Sequence, residues 1–133
     1  GEEFARTKKG EDNSYASSAL LSQLDWKRTA ACPGLVEYYR GLIAVRKFFP
    51  QFRMRDAESI RKIRFETLEG GAVAADFGGL LLIVNPAAHP LKYENGRRMM
   101  VYADHITAGT RPLFIADGAV SVTPRGIILA EYR

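Results

Sequence analysis

Between Gly34 and Pro50 the chain reads GLVEYYRGLIAVRKFFP. At about 100° per residue, Leu35, Tyr38, Tyr39, Leu42, Ile43, Val45 and Phe49 share one broad face, with Glu37, Arg40 and Lys47 opposite. Pro33 at the start and Pro50 just past the end bound the pattern, which predicts an amphipathic helix over about residues 34–49. The apolar arc covers roughly half the circumference, more than packing on one neighbour requires, and so predicts cover from two sides. Arg46 falls inside that arc. A guanidinium there must snorkel or find a carboxylate, because an unpaired buried charge costs on the order of several kcal/mol. Glu2, Glu3 and Asp25 are the candidate partners, and a structural ion pair is the role expected of Arg46.

From residue 57 the period of the pattern changes to two. Runs rich in strand formers follow one another as IRKIRFETL, AVAADF, LLLIVN, RRMMVYAD, AVSVT and GIILAEY. Gly70-Gly71, Gly78-Gly79, Asn95-Gly96, Asp117-Gly118 and Pro124-Arg125-Gly126 punctuate them as turn signals. Such spacing predicts an antiparallel, Greek-key-like sandwich or barrel, not parallel βαβ units. Residues 1–33 are polar and irregular up to LLSQLDW, and read as a long loop with one short helix. The expected fold class is therefore mainly β. A helix and a long loop stand in front of the sheet and do not make a domain by themselves.

Composition narrows this picture only slightly. A chain of 133 residues with 47% hydrophobic and 26% charged content holds one ordinary domain, or a smaller domain with part of another. No apolar run reaches the roughly 20 residues of a membrane helix. The opening residues lack the apolar run of a signal peptide, which leaves the compartment open between extracellular and cytoplasmic. The net charge of +4 invites nucleic acid, but the basic residues are scattered. Arg6, Lys8 and Lys9 are followed by Glu11 and Asp12, while Arg61, Lys62 and Arg64 alternate with Ile60, Ile63 and Phe65 as on a solvated strand face. Neither a nucleic-acid nor a membrane partner is expected. The single cysteine, Cys32, has no partner for a disulfide and reads as a half-buried thiol, and no metal site is expected.

No catalytic set emerges from the residues. Glu2-Glu3 and Glu11-Asp12 are sequence neighbours, and carboxylates so placed rarely flank a scissile bond. Asp104-His105 with Ser121 spells a triad only on paper, since no GxSxG elbow surrounds any serine. P-loop, dinucleotide and HExxH motifs are missing as well. What remains is the first loop, where Phe4, Tyr15 and Trp26 alternate with Arg6, Asn13 and Gln23, a mixture of rings and planar polar groups suited to sugar. A core role for Trp26 is the stronger expectation.

Three motifs in order, GEEFARTKKGEDNSY, QLDWKR and YYRGLIAVRKFFPQFR, resemble the carboxyl-terminal part of type I pullulanases, debranching enzymes of glycoside hydrolase family thirteen in the α-amylase superfamily. The resemblance implies that residues 1–56 are the end of a catalytic (β/α)8 barrel, namely the loop after its eighth strand and its final helix. Residues 57–133 would then be the C-terminal β-sandwich. The opening stretch is expected to be a cut edge of a longer parent that hydrolyses α-1,6-glucosidic links in pullulan and branched glucans with retention of configuration. The family's nucleophilic Asp, acid/base Glu and third Asp all precede Gly1, so no catalytic residue and no cofactor is expected here, and the segment alone should be inactive. Calcium is a candidate only for the parent. Arg6, Asn13 and Tyr15 match positions beside the substrate cleft, while Glu3 is expected to fix the loop. After Tyr15 the chain departs from the family's pattern, with Ala16, Ser17, Ser18 and Ala19 where an Asp-containing run is usual and Ser22 in place of Asn. An isolated segment would expose the barrel-facing side of its helix and self-associate through it. The competing expectations are a free-standing carbohydrate-binding β module and another branching or debranching enzyme of the amylase family.

Overall fold

A computed structural model describes all 133 residues. Short helices α1 (Ala19–Ser22) and α2 (Arg28–Ala31) lead to the long helix α3 (Pro33–Phe48), and α4 (Ala57–Arg61) follows. Six strands complete the chain: β1 (Arg64–Thr67), β2 (Val73–Asp76), β3 (Leu80–Asn85), β4 (Leu91–Ala103), β5 (Phe114–Val122) and β6 (Gly126–Tyr132). The chain divides into two compact units, Gly1–Arg40 and Gly41–Arg133, with the division inside α3. No helix is long and apolar enough to cross a membrane.

In the second unit the strands form one sheet in the order β1-β2-β3-β6-β4-β5, antiparallel throughout. The mainly β, antiparallel architecture is the one the period-two runs predict. Its strand order departs from a Greek key, in which the last strand lies outside three hairpin-linked neighbours, because β6 is inserted between β3 and β4. The sandwich is made by that single sheet folding over itself. β4 is long enough to pair with both β5 and β6, and its first half carries Leu91 and Tyr93 onto Ala72, Ala74 and Ile83 in one core cluster with Val120 and Val122.

The central strands are covered on both faces, which is why β3 and β6 read LLLIV and IILA without clean alternation. Leu81 and Ile83, with Ile128 and Ala130, enter the folded-over core. Leu80, Leu82 and Leu129 point the other way, onto Leu42, Val45, Phe49 and Phe52. Those four lie at helix-compatible spacing along and just beyond α3, so its second half is the cover for that face. Phe49 meets Tyr102 edge-on at 4.9 Å. A register shift between Val101 and Ala103 turns Tyr102 and Ala103 toward the helix layer while Val101 stays in the other core. Ile43 and Phe48 remain about half exposed, so within this unit the wide arc is covered from one side only.

Two segments differ from the sequence pattern. Residues 57–61 are helical, not strand: the Asp56 side chain accepts from the Ser59 amide at 2.7 Å and caps α4, and Glu58 pairs with Lys62 one turn on. Asn95-Gly96 and Asp117-Gly118 are not turns. They face each other across the β4–β5 ladder, where the register shifts between Glu94 and Arg98, and Gly96 and Gly118 take φ of 68° and 77°. The connection between these strands is residues 104–113 instead.

Three phenols on the sheet sit against carboxylates. Tyr132 donates to Asp76 Oδ2 at 2.8 Å, Tyr102 to Glu131 Oε2 at 3.4 Å and Tyr93 to Glu66 Oε2 at 3.5 Å. Burial first, and the adjacent carboxylate after it, raises all three above the ordinary value of 10.0. In alkali the unfolded chain therefore gives up these protons first, and the folded state binds more of them. Stability should be level to about pH 9 and fall as pH rises through and beyond the unfolded value of about 10. Denaturant midpoints measured across that range test this, with Tyr132→Phe expected to flatten part of the slope; an unchanged midpoint to about pH 11 would contradict it.

Candidate functional site

Within the first unit, residues 1–28 wrap a cavity of about 450 Å³ lined by Arg6, Thr7, Lys9, Ser18, Leu20, Leu21, Gln23, Asp25 and Arg28. Its frame begins at Phe4, the fully buried side chain of this unit, whose ring lies 5.4 Å from that of Trp26. After Phe4 the chain turns sharply at Ala5, with φ of 56°. Arg28 holds that turn: its Nε donates to the Phe4 carbonyl at 3.2 Å and its Nη2 to the Ala5 carbonyl at 2.8 Å. The guanidinium fork spans two successive carbonyls, a task its fixed planar donors suit. Arg6 reaches across the loop and donates to the Ser22 carbonyl at 3.2 Å. Lys8 donates to the Ser14 hydroxyl at 2.6 Å.

The residues singled out from sequence separate here. Arg6 lines the cavity together with Gln23 and Asp25. Asn13 and Tyr15 do not line it; both are exposed, Tyr15 to 89%. Trp26 is 63% exposed, so its expected place as a core anchor passes to Phe4 and the indole presents an open face. Glu3 is half-buried beside Phe4 in the opening turn. Arg46 is exposed and donates to the Phe52 carbonyl at 2.7 Å, so the group that satisfies it is a carbonyl six residues along and not a carboxylate. Nothing in the sequence marks Arg28, an arginine that bonds carbonyls 23 and 24 residues away.

Electrostatically the cavity sets Arg6, Lys9 and Arg28 against one acid, Asp25, which also accepts from the Lys27 amide at 3.1 Å. Nowhere do three or more His, Cys, Asp or Glu side chains gather as a metal site would require. Its cationic donors are Arg6, Lys9 and Arg28, with the neutral amide of Gln23 beside them, while the exposed rings of Trp26 and Tyr15 belong to the same segment but lie outside the lining.

No family model matches the chain. The pullulanase of Bacillus subtilis (strain 168) is 48% identical to it over 62 residues, 47% of this chain and 9% of that protein. Among solved structures, the pullulanase from Bacillus acidopullulyticus matches with a TM-score of 0.87 at 25% identity, over 98% of this chain and 18% of that one. Type I pullulanase from Bacillus subtilis strain 168, complexed with maltose, matches at 0.80 and 28% identity over 99% and 20%. The pullulanase of Anoxybacillus sp. LM18-11, complexed with maltotetraose, shares the fold at 0.82 and 20% identity over 98% of this chain and 20% of that one. The chain thus spans between 9% and 20% of the length of the pullulanases it matches. In sequence and in fold it resembles a carboxyl-terminal segment of a type I pullulanase, as its three ordered motifs implied.

Proposed function

We propose that this chain is the non-catalytic carboxyl-terminal part of a debranching glycosidase that hydrolyses α-1,6-glucosidic links in pullulan and branched glucans with retention. The observation that carries the reading is the coincidence of 48% identity over 62 residues with a pullulanase fold over 98% of the chain. In this reading residues 1–56 close a catalytic barrel and residues 57–133 support it. The first-unit cavity faces the glucan, with Arg6 and Gln23 as hydrogen-bond donors to sugar hydroxyls. Its lining offers a single carboxylate, Asp25, where cleavage of a glycoside needs two across the bond. That set suits binding, and the carboxylates that cleave belong to the rest of the parent, as does any calcium.

The test uses the whole reading frame that contains this chain beside the 133-residue chain alone. The parent should release reducing sugar from pullulan and the chain should release none. Hydrolysis by the chain would overturn its non-catalytic role, and an inert parent would overturn the debranching reading. In the active parent, Arg6→Ala should raise KM roughly tenfold, the scale of one lost hydrogen bond from a charged donor.

A further inference from the structure

A second cleft, on the sheet of the second unit, combines rings with open polar groups. Two adjoining lobes of about 230 and 170 Å³ share Asp76, Leu81 and Tyr93. Arg64, Phe65 and Glu66 of β1 line the first lobe, and Asn95, Arg97 and Tyr132 line the second. The floor is Leu81, which is buried, and the phenols of Tyr93 and Tyr132 stand at the sides, fixed by Glu66 and Asp76.

Three features of this cleft leave groups open to a ligand. Phe65 is 72% exposed on an edge strand, where a ring of that size buries little and leaves an apolar plate facing water. The Arg97 guanidinium lies 5.0 Å over the Tyr132 ring and pairs with no carboxylate, so its donors face outward. It stands there because of the irregularity between Glu94 and Arg98, where Gly96 at φ 68° re-aims Asn95 and Arg97 out of the ladder. Asn95 is pinned in turn, its Oδ1 accepting from the Arg97 amide at 2.9 Å, which leaves its amino group to the cleft. The charges cancel, with Arg64 and Arg97 against Glu66 and Asp76, so neither a polyanion nor a polycation is favoured. Carboxylates that accept from hydroxyls, amide and guanidinium groups that donate to them, and an exposed ring together fit a neutral, polyhydroxylated ligand.

We propose that this cleft is a second glucan-binding site, separate from the loop cavity, in which one sugar ring stacks on Phe65 and the next donates to Glu66 and Asp76 while accepting from Asn95 and Arg97. The choice of glucan over other polyols rests on the debranching reading above; the cleft itself does not.

The experiment titrates the 133-residue chain with maltotetraose by two-dimensional amide NMR, beside Phe65→Ala, Arg97→Gln and Arg6→Ala. Phe65 and Arg97 are exposed, so neither substitution is expected to unfold the domain. Wild type should show shifts on β1, β2 and residues 93–97, and each cleft variant should weaken these about three- to tenfold, the scale of one lost stacking or charged contact. Arg6→Ala should leave them unchanged. Shifts confined to residues 6–28, or shifts on the sheet that survive both cleft variants, would overturn the proposal. So would a spectrum unmoved at millimolar sugar, and because the parent's action on pullulan is assayed separately, that result would leave the debranching reading standing.

Discussion

Asn85→Ala should lower the unfolding free energy of the β unit by about 3 kcal/mol, several times the effect of an average surface change. Asn85 ends β3 and is only 1% exposed. Its Nδ2 reaches the carbonyls of His89 at 2.9 Å, Thr123 at 3.0 Å and Val122 at 3.4 Å, and its Oδ1 accepts from the Ala87 amide at 3.1 Å. One side chain therefore fastens the β3–β4 connection to the end of β5. Truncation leaves several backbone groups short of partners in a place with no slack, since the buried Thr123 Oγ1 already has none. Each orphaned group costs about 1–3 kcal/mol, less where water can reach it from the connection. Asn85→Asp should do no better, because it replaces the donor with a charge facing three carbonyls. Urea unfolding of both variants checks this, and a loss below about 1 kcal/mol would show that the carbonyls find other donors.

Gly41→Ala should be equally damaging, although helix propensity alone would make alanine the better residue by about 1 kcal/mol. A Cβ on Gly41 would stand 2.1 Å from the Ala108 carbonyl oxygen and 2.7 Å from its carbon. The obstacle is backbone, and it is held. Ala108 bridges to Ala103, the Gly109 amide donates to the Tyr102 carbonyl at 3.0 Å, and Asp104 Oδ1 accepts from the amides of Ile106 and Thr107. To admit the methyl, the helix or the loop must shift by about 1 Å, at a cost of about 3 kcal/mol of packing beneath Val45 and Phe49. Gly34→Ala in the same helix meets nothing within 4 Å and serves as the control, expected to stabilise by up to about 1 kcal/mol. If the two variants unfold at the same denaturant concentration, α3 does not make this close approach.

These two sites show where sequence patterns stop being informative. The helix was legible because Pro33 and Pro50 bracket a clear 3.6-residue period, and β3 and β6 because apolar runs between turn residues have few other uses. The start of α4 reads as strand because Ile60 and Ile63 suit either period; the decisive signal is Asp56 three residues before Ser59, a cap. Asn95-Gly96 and Asp117-Gly118 carry the strongest local turn chemistry in the chain, yet each supplies a positive φ to an irregular ladder, and only the partner strand reveals which. At the loop cavity, resemblance pointed to Arg6, while Asn13 and Tyr15 lie outside the lining and Arg28 acts through carbonyls that no pattern records. Asn85 and Gly41 have the same character: their importance comes from backbone far along the chain.

The place of β6 in the sheet fixes an order of assembly. Since it sits between β3 and β4, the strands β1 to β3 and the hairpin β4–β5 have no ladder joining them until the last strand is present. During synthesis both groups emerge from the ribosome with an open apolar edge, Leu80–Asn85 on one and Met99–Ala103 on the other. They must wait for Ile127, Ile128 and Leu129 to close the gap. The nascent chain is therefore exposed to misassociation until β6 has emerged, and that seven-residue strand works as the latch that ends the interval.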